Sequence, residues 1–145
     1  MRGEGAYVEA EVPLDEILVH YRGGSIVPQR VESANTTTAL RQKGFNVVVA
    51  LGLDGTAKGS LYLDDGESLD QAAVSEIDLS YQDGVFKMQG LFGYEAGVGV
   101  EVITVLGLGE QPAEMIEGAE WDAGNGVMVV QVDVPLTGEM EIKLF

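Results

Sequence analysis

A chain of 145 residues, 46% hydrophobic and 22% charged, is long enough to bury one core and holds no apolar run that could span a membrane as a helix. Eight Lys and Arg stand against 24 Asp and Glu, a formal net charge of -16. That field repels phosphate backbones and anionic lipid, which argues against nucleic-acid and membrane-surface partners. The chain has no Cys and a single His, His20, so disulfides, thiolate nucleophiles, zinc-thiolate centres and two-histidine metal sites are excluded.

The start, "MRGEGAYVEAEVPLDEI", lacks a positive segment followed by an apolar one, so any export signal is expected upstream or already removed. "AYVEAEV" and "EILVHYR" predict two short strands, the second carrying His20, and two strands are too few to enclose a core. Either they join the main sandwich or they are the edge of a domain whose remaining strands lie outside this chain, an edge open to self-association. The polar stretch "QRVESANTTTALRQKG", residues 29–44, reads as a linker. Its Asn35-Thr36-Thr37 matches a glycosylation sequon, which makes Asn35 a candidate for a glycan.

Residues 45–145 predict the main sandwich. "FNVVVALGL" followed by Asp54-Gly55 and "TAKGSLYLDDG" reads as a hairpin, because both turn residues tolerate positive φ. A second hairpin is expected at Asp83-Gly84. "VGVEVITVLGL" alternates so that Val98, Val100, Val102, Thr104 and Leu106 share one well-filled face. "PAEMIEG", "GNGVMVVQVDVPL" and "GEMEIKLF" complete the strands, with turns at Asn125-Gly126 and Thr137-Gly138. The nearest helical candidate, "ESLDQAAVSEI", is short and ends in β-branched residues. Many short strands with frequent turns predict an all-β fold, an antiparallel β-sandwich with a short N-terminal strand pair beside it.

Candidate chemistry is sparse. Asp64, Asp65, Glu67 and Asp70 lie in one short reach, yet adjacent acids on a strand face opposite ways, and Asp65-Gly66 has the form of a turn. The spacing does not match a calcium-binding EF-hand loop. No glycine-rich turn ends in the Lys-Ser/Thr of a phosphate loop. Trp121, in the polar, turn-like "EGAEWDAGNG", could stack on a sugar ring, the basis for an alternative reading as an independent carbohydrate-binding module with an α-glucan ligand. No cofactor is implied.

Taken in order, "VPLDEILVHYRGGSIVPQ", "TTTALRQKGFNVVVAL" and "DGTAKGSLYLDDGES" resemble the C-terminal β-sandwich region of family 31 glycoside hydrolases, most of all the secreted fungal α-glucosidases. The resemblance implies that residues up to Pro28 end a proximal sandwich and that the remainder is a distal one. Gly23 and Gly24 would permit a sharp bend, Arg22 would bond carbonyls or a carboxylate, and Pro28 would end the last strand. The partners it implies are a catalytic (β/α)8 barrel and the proximal sandwich of a parent enzyme. The family's catalytic aspartates belong to that barrel, so no catalytic residue is carried onto this chain. The function implied is a non-catalytic, barrel-bracing accessory domain of a secreted enzyme, inactive alone.

Overall fold

A computed structural model describes residues 7, 9 and 11–145. The elements in chain order are β1 (Ser25–Arg30), α1 (Thr37–Arg41), β2 (Phe45–Ala50), β3 (Ala57–Leu63), β4 (Ser75–Gln82), β5 (Val85–Phe92), β6 (Gly99–Leu106), β7 (Ala119–Asp122), β8 (Val127–Pro135) and β9 (Met140–Lys143). The all-β class holds. The nine strands form one sheet in the order β7-β8-β6-β2-β1-β3-β4-β5-β9. It is mixed rather than purely antiparallel, because β1 runs parallel to β3 and β2 parallel to β6. No helix among the described residues is long and apolar enough to cross a membrane.

The sheet curls because its two halves are joined at one corner. Strand β1 pairs with β2 along its full length but shares a ladder pair with β3 only at Ser25↔Lys58, where the Lys58 N–H donates to Gly24 O at 3.1 Å. Beyond that point the halves diverge and face each other across a single core. Val47, Val49, Ile103, Met128 and Val130 of one half join Ile77, Leu79, Phe86 and Met88 of the other in one buried cluster. At the far side the two ends of the sheet approach, and the Ile116 N–H donates to Leu144 O at 2.9 Å.

Several sequence expectations are corrected. The Asp54-Gly55 turn forms, with the Asp54 carboxylate accepting from the Thr56 N–H at 3.0 Å, but β2 and β3 are not hairpin partners, because β1 lies between them. The division placed between residues 28 and 29 falls inside β1, and residues 29–44 are no plain linker, since they contain the end of β1 and all of α1. Pro28 sits within β1, opposite Val47, rather than ending a strand. The Val31 N–H still bonds Gly44 O at 3.1 Å, so by alternation the missing N–H of Pro28 lies on the opposite edge, where β3 has already turned away.

"EILVHYR" forms no strand, and His20 is exposed. "PAEMIEG" is a turn-rich connection, and "ESLDQAA" an irregular loop before β4. "AYVEAEV" lies partly outside the described residues. The hairpin at Asp83-Gly84 is as expected, with positive φ at both turn residues, 50° and 79°.

In β6 the uniform alternation fails. A bulge between Val100 and Val102 reverses the facing of the strand, so Val100, Ile103 and Val105 enter the core while Val102, Thr104 and Leu106 turn outward. Cross-strand register then aligns outward rows, Val27–Val48–Thr104–Val129 and Ser25–Ala50–Leu106–Val127. The outer face of the other half carries Lys58, Glu76, Asp78, Lys87 and Glu141 instead.

Candidate functional site

The Arg22-Gly23-Gly24 motif makes a tight turn into β1. The Ser25 N–H donates to Arg22 O at 3.2 Å, and the Gly24 N–H to Ala50 O at 2.8 Å. Gly24 has φ +85°, a conformation that glycine adopts without penalty. A side chain on Gly23 would meet Leu51 O at 3.1 Å, so both glycines let this turn lie against the end of β2. Arg22 is exposed and makes no ion pair among the described residues.

Of the sequence-predicted acids, Asp64 falls in a structural clamp, while Glu67 and Asp70 are exposed. Thr36 caps α1, its hydroxyl accepting from the Ala39 N–H at 3.1 Å, and the short helix projects Arg41 onto the loop after β3. Arg41 donates through Nη1 to Asp64 O at 3.3 Å and sets Nη2 3.6 Å from the Asp64 carboxylate. Gly66, with φ +68°, lies directly beneath that guanidinium, where a Cβ would collide with it.

Arg30 completes the cluster. It donates to Lys43 O at 2.5 Å, closes the C-terminal end of α1 through Arg41 O at 3.4 Å, and stacks on the Phe45 ring with 4.0 Å to the centroid. Burial, with the nearby Arg41 charge, lowers its pKa. No sequence signal joined Arg41 to Gly66, because the contact runs from the end of α1 to a loop more than twenty residues away in the chain.

Asp65 caps its own loop. It accepts from the Ser68 hydroxyl at 2.6 Å and from the Glu67 and Ser68 N–H groups, each at 2.9 Å. These bonds hold its carboxyl well below the usual range, so it stays ionised and is unsuited to act as a general acid near neutral pH. The cavity bounded by Arg30, Arg41, Tyr62, Asp64 and Tyr94 is about 100 Å³, below the roughly 300–1,000 Å³ typical of small-molecule sites. A larger open cleft of about 470 Å³ is lined by Glu101, Asp133, Gln131 and the glycines Gly44, Gly97 and Gly99, with no aromatic ring. Among the described residues no group of three His, Asp or Glu could hold a metal.

Trp121 is not an exposed turn residue. It lies in β7 opposite Met128, partly buried and packed against the core. Asn35 is exposed immediately before the Thr36 cap. The segment leading to β1 exposes Leu14 (106%), Ile17 (88%) and Val19 (70%), and its Tyr21 hydroxyl accepts from Gln29 Nε2 at 2.7 Å.

No protein-family model matches the chain. It is 43% identical over 145 residues to the protein named probable alpha/beta-glucosidase agdC of Neosartorya fischeri, covering 99% of this chain and 16% of that protein. A probable alpha/beta-glucosidase of Arthroderma benhamiae is 38% identical over 152 residues, covering 99% and 18%. The alpha-glucosidase of Schizosaccharomyces pombe is 41% identical over 103 residues, covering 71% and 10%. Among solved structures, the glucosidase II alpha subunit superposes with a TM-score of 0.68 at 21% identity, over 86% of this chain and 17% of that one. The ER glucosidase II heterodimeric complex of catalytic subunit and regulatory-subunit binding domain gives 0.69 at 21%, over 86% and 17%. At that identity the structural likeness speaks for the fold. The chain spans about 16% of the length of the first of these relatives.

Proposed function

Because the chain is homologous to a segment of alpha-glucosidase-like glycoside hydrolases, as its ordered motifs implied, we propose that it is the non-catalytic C-terminal accessory domain of a secreted family 31 enzyme. In this reading it braces a catalytic barrel carried elsewhere in the same polypeptide, and hydrolysis of terminal α-glucosidic bonds belongs to that barrel. The observation that carries the proposal is the pairing of near-complete coverage of this chain with a small share of each relative.

Two structural features support it. Of the sequence-predicted acids, Asp65 is engaged in loop capping and Asp64 in the Arg41 clamp. The segment before β1 presents apolar side chains to solvent, as a stretch does when its packing partner is a neighbouring domain. Residues 11–24 are then the junction with the proximal sandwich, and β1 onward is the distal unit.

The test is the mass of the polypeptide in its source, read on a denaturing gel with an antibody to this domain. A band on the order of 100 kDa, a barrel with several flanking domains, is the expected outcome. A band near 15.4 kDa, the mass of this chain alone, overturns the proposal. The isolated chain should show no glucosidase activity.

A further inference from the structure

We propose that the apolar rows on the outer face of β1, β2, β6 and β8 are the surface on which the rest of the parent polypeptide docks, an inference that rests on the accessory reading above. Val27, Val48, Val102, Leu106, Val127 and Val129 lie in adjoining outward rows fixed by register. They stand apart from the cluster that fills the inside of the sheet, with Val48 buried as the floor of the face and the other five partly exposed around it. Within those four strands these rows hold no charged residue, and acids border them: Glu120 and Asp122 continue the two rows onto β7, and Asp133 follows Gln131 on β8. The matching outer face of the other half shows what this chain does with a solvated surface, since Lys58, Glu76, Asp78, Lys87 and Glu141 project there.

The apolar face is also built by an irregularity. Without the bulge at Val100/Val102, Val102, Thr104 and Leu106 would share the facing of Val100 and point into the core. The bulge interrupts ladder pairing and turns apolar side chains outward, an arrangement suited to a covered face.

The occupant follows from how the chain arrives. Gln29 stands on this same face, two residues beyond Val27, and its amide holds the Tyr21 hydroxyl at 2.7 Å. The incoming segment therefore reaches the domain at the margin of the apolar rows, with Leu14, Ile17 and Leu18 exposed along it. A polypeptide tethered through that segment is held at high effective concentration beside the face. A second copy of the chain would instead bring together two strongly acidic molecules.

Carbene footprinting of the intact polypeptide and of the 145-residue chain tests the inference on native sequence. Labelling of β6 and β8 should fall severalfold in the intact polypeptide, with β3 and β4 unchanged. Equal labelling of β6 and β8 in both, or protection of the charged face instead, overturns the inference while leaving the accessory reading to the gel described above. Protection of β8 in the isolated chain that is lost on dilution identifies a second copy as the occupant and overturns the choice made here. Val129→Lys should leave the cooperative melt of the isolated chain intact and lower the melting temperature of the intact polypeptide, whereas Ser80→Lys on the charged face should change neither. Loss of folding by the isolated Val129→Lys chain would place Val129 in the core and defeat the inference.

Discussion

Replacing Gly59 with alanine tests the corner at which the two halves of the sheet meet. Gly59 lies in β3 opposite Leu79, and its backbone is not in the left-handed region, so alanine introduces no torsional strain. The cost is steric. An added methyl would sit 2.9 Å from the Ile26 carbonyl carbon, 3.0 Å from its Cβ, and still nearer its carbonyl oxygen. Ile26 is a buried residue of β1, and a main-chain carbonyl cannot rotate aside as a side-chain end can.

Relief requires β1 and β3 to separate by roughly 1 Å, reaching an ordinary carbon–oxygen contact. Overpacking of this kind costs about 1–3 kcal/mol. For a domain of this size each kcal/mol lowers Tm by about 2–4 °C, so a fall of about 3–10 °C is expected. Thermal melts followed by circular dichroism measure it. Gly138→Ala, which meets no atom within 4 Å, is the control and should change stability little. If Gly59→Ala melts with the native chain, the close approach at the β1–β3 corner is not what sets the curl, and the reasoning fails.

Other outcomes follow from the same geometry. The bonds to Asp65 depress its folded pKa, so their stabilisation is full above the unfolded carboxylate value of about 3.9 and fades as pH falls below it. Asp65→Asn should therefore lower Tm at pH 7, with the gap closing in acid; a gap constant with pH would contradict the assignment. Arg41→Ala should speed proteolysis of the loop over residues 64–74 while changing global stability by only about 0–1 kcal/mol, since the ion pair is partly exposed. Trp121→Ala should cost about 2 kcal/mol in denaturant unfolding, because its ring packs on the core; an unchanged midpoint would return it to the surface. Expressed through a fungal secretory pathway, the chain should carry a glycan that Asn35→Gln removes, and an unmodified native chain under those conditions would defeat that site.

What the sequence made legible was local. Asp83-Gly84 predicts a hairpin correctly because the torsions it needs and the strands it joins are adjacent in the chain. Asp54-Gly55 carries the same local signal, but a turn cannot say which strand lies beside it, and β1 intervenes through pairing specified elsewhere. In β6 apolar residues occupy both faces, so hydrophobicity did not reveal where the bulge reverses them. Helix α1 was hidden by its length, although Thr36 before Ala39, Leu40 and Arg41 is a capping signal in retrospect. At the clamp, turn chemistry identified Asp65 and Gly66, whereas Arg41, which explains why Gly66 must lack a side chain, comes from a segment read as a linker. Trp121 was misplaced because its polar neighbours masked a strand in which only alternate residues face inward.

The bond from Ile116 to Leu144 has a consequence for how the domain can associate with others of its kind. The outermost strands, β7 and β9, span only four residues each, and the margins of the sheet are stitched together beside them. An incoming strand finds no long row of free donors and acceptors on which to template itself, the usual route to ordered aggregation. Stickiness of a detached domain would then come from its broad surfaces, giving contacts that do not propagate a hydrogen-bonded ladder.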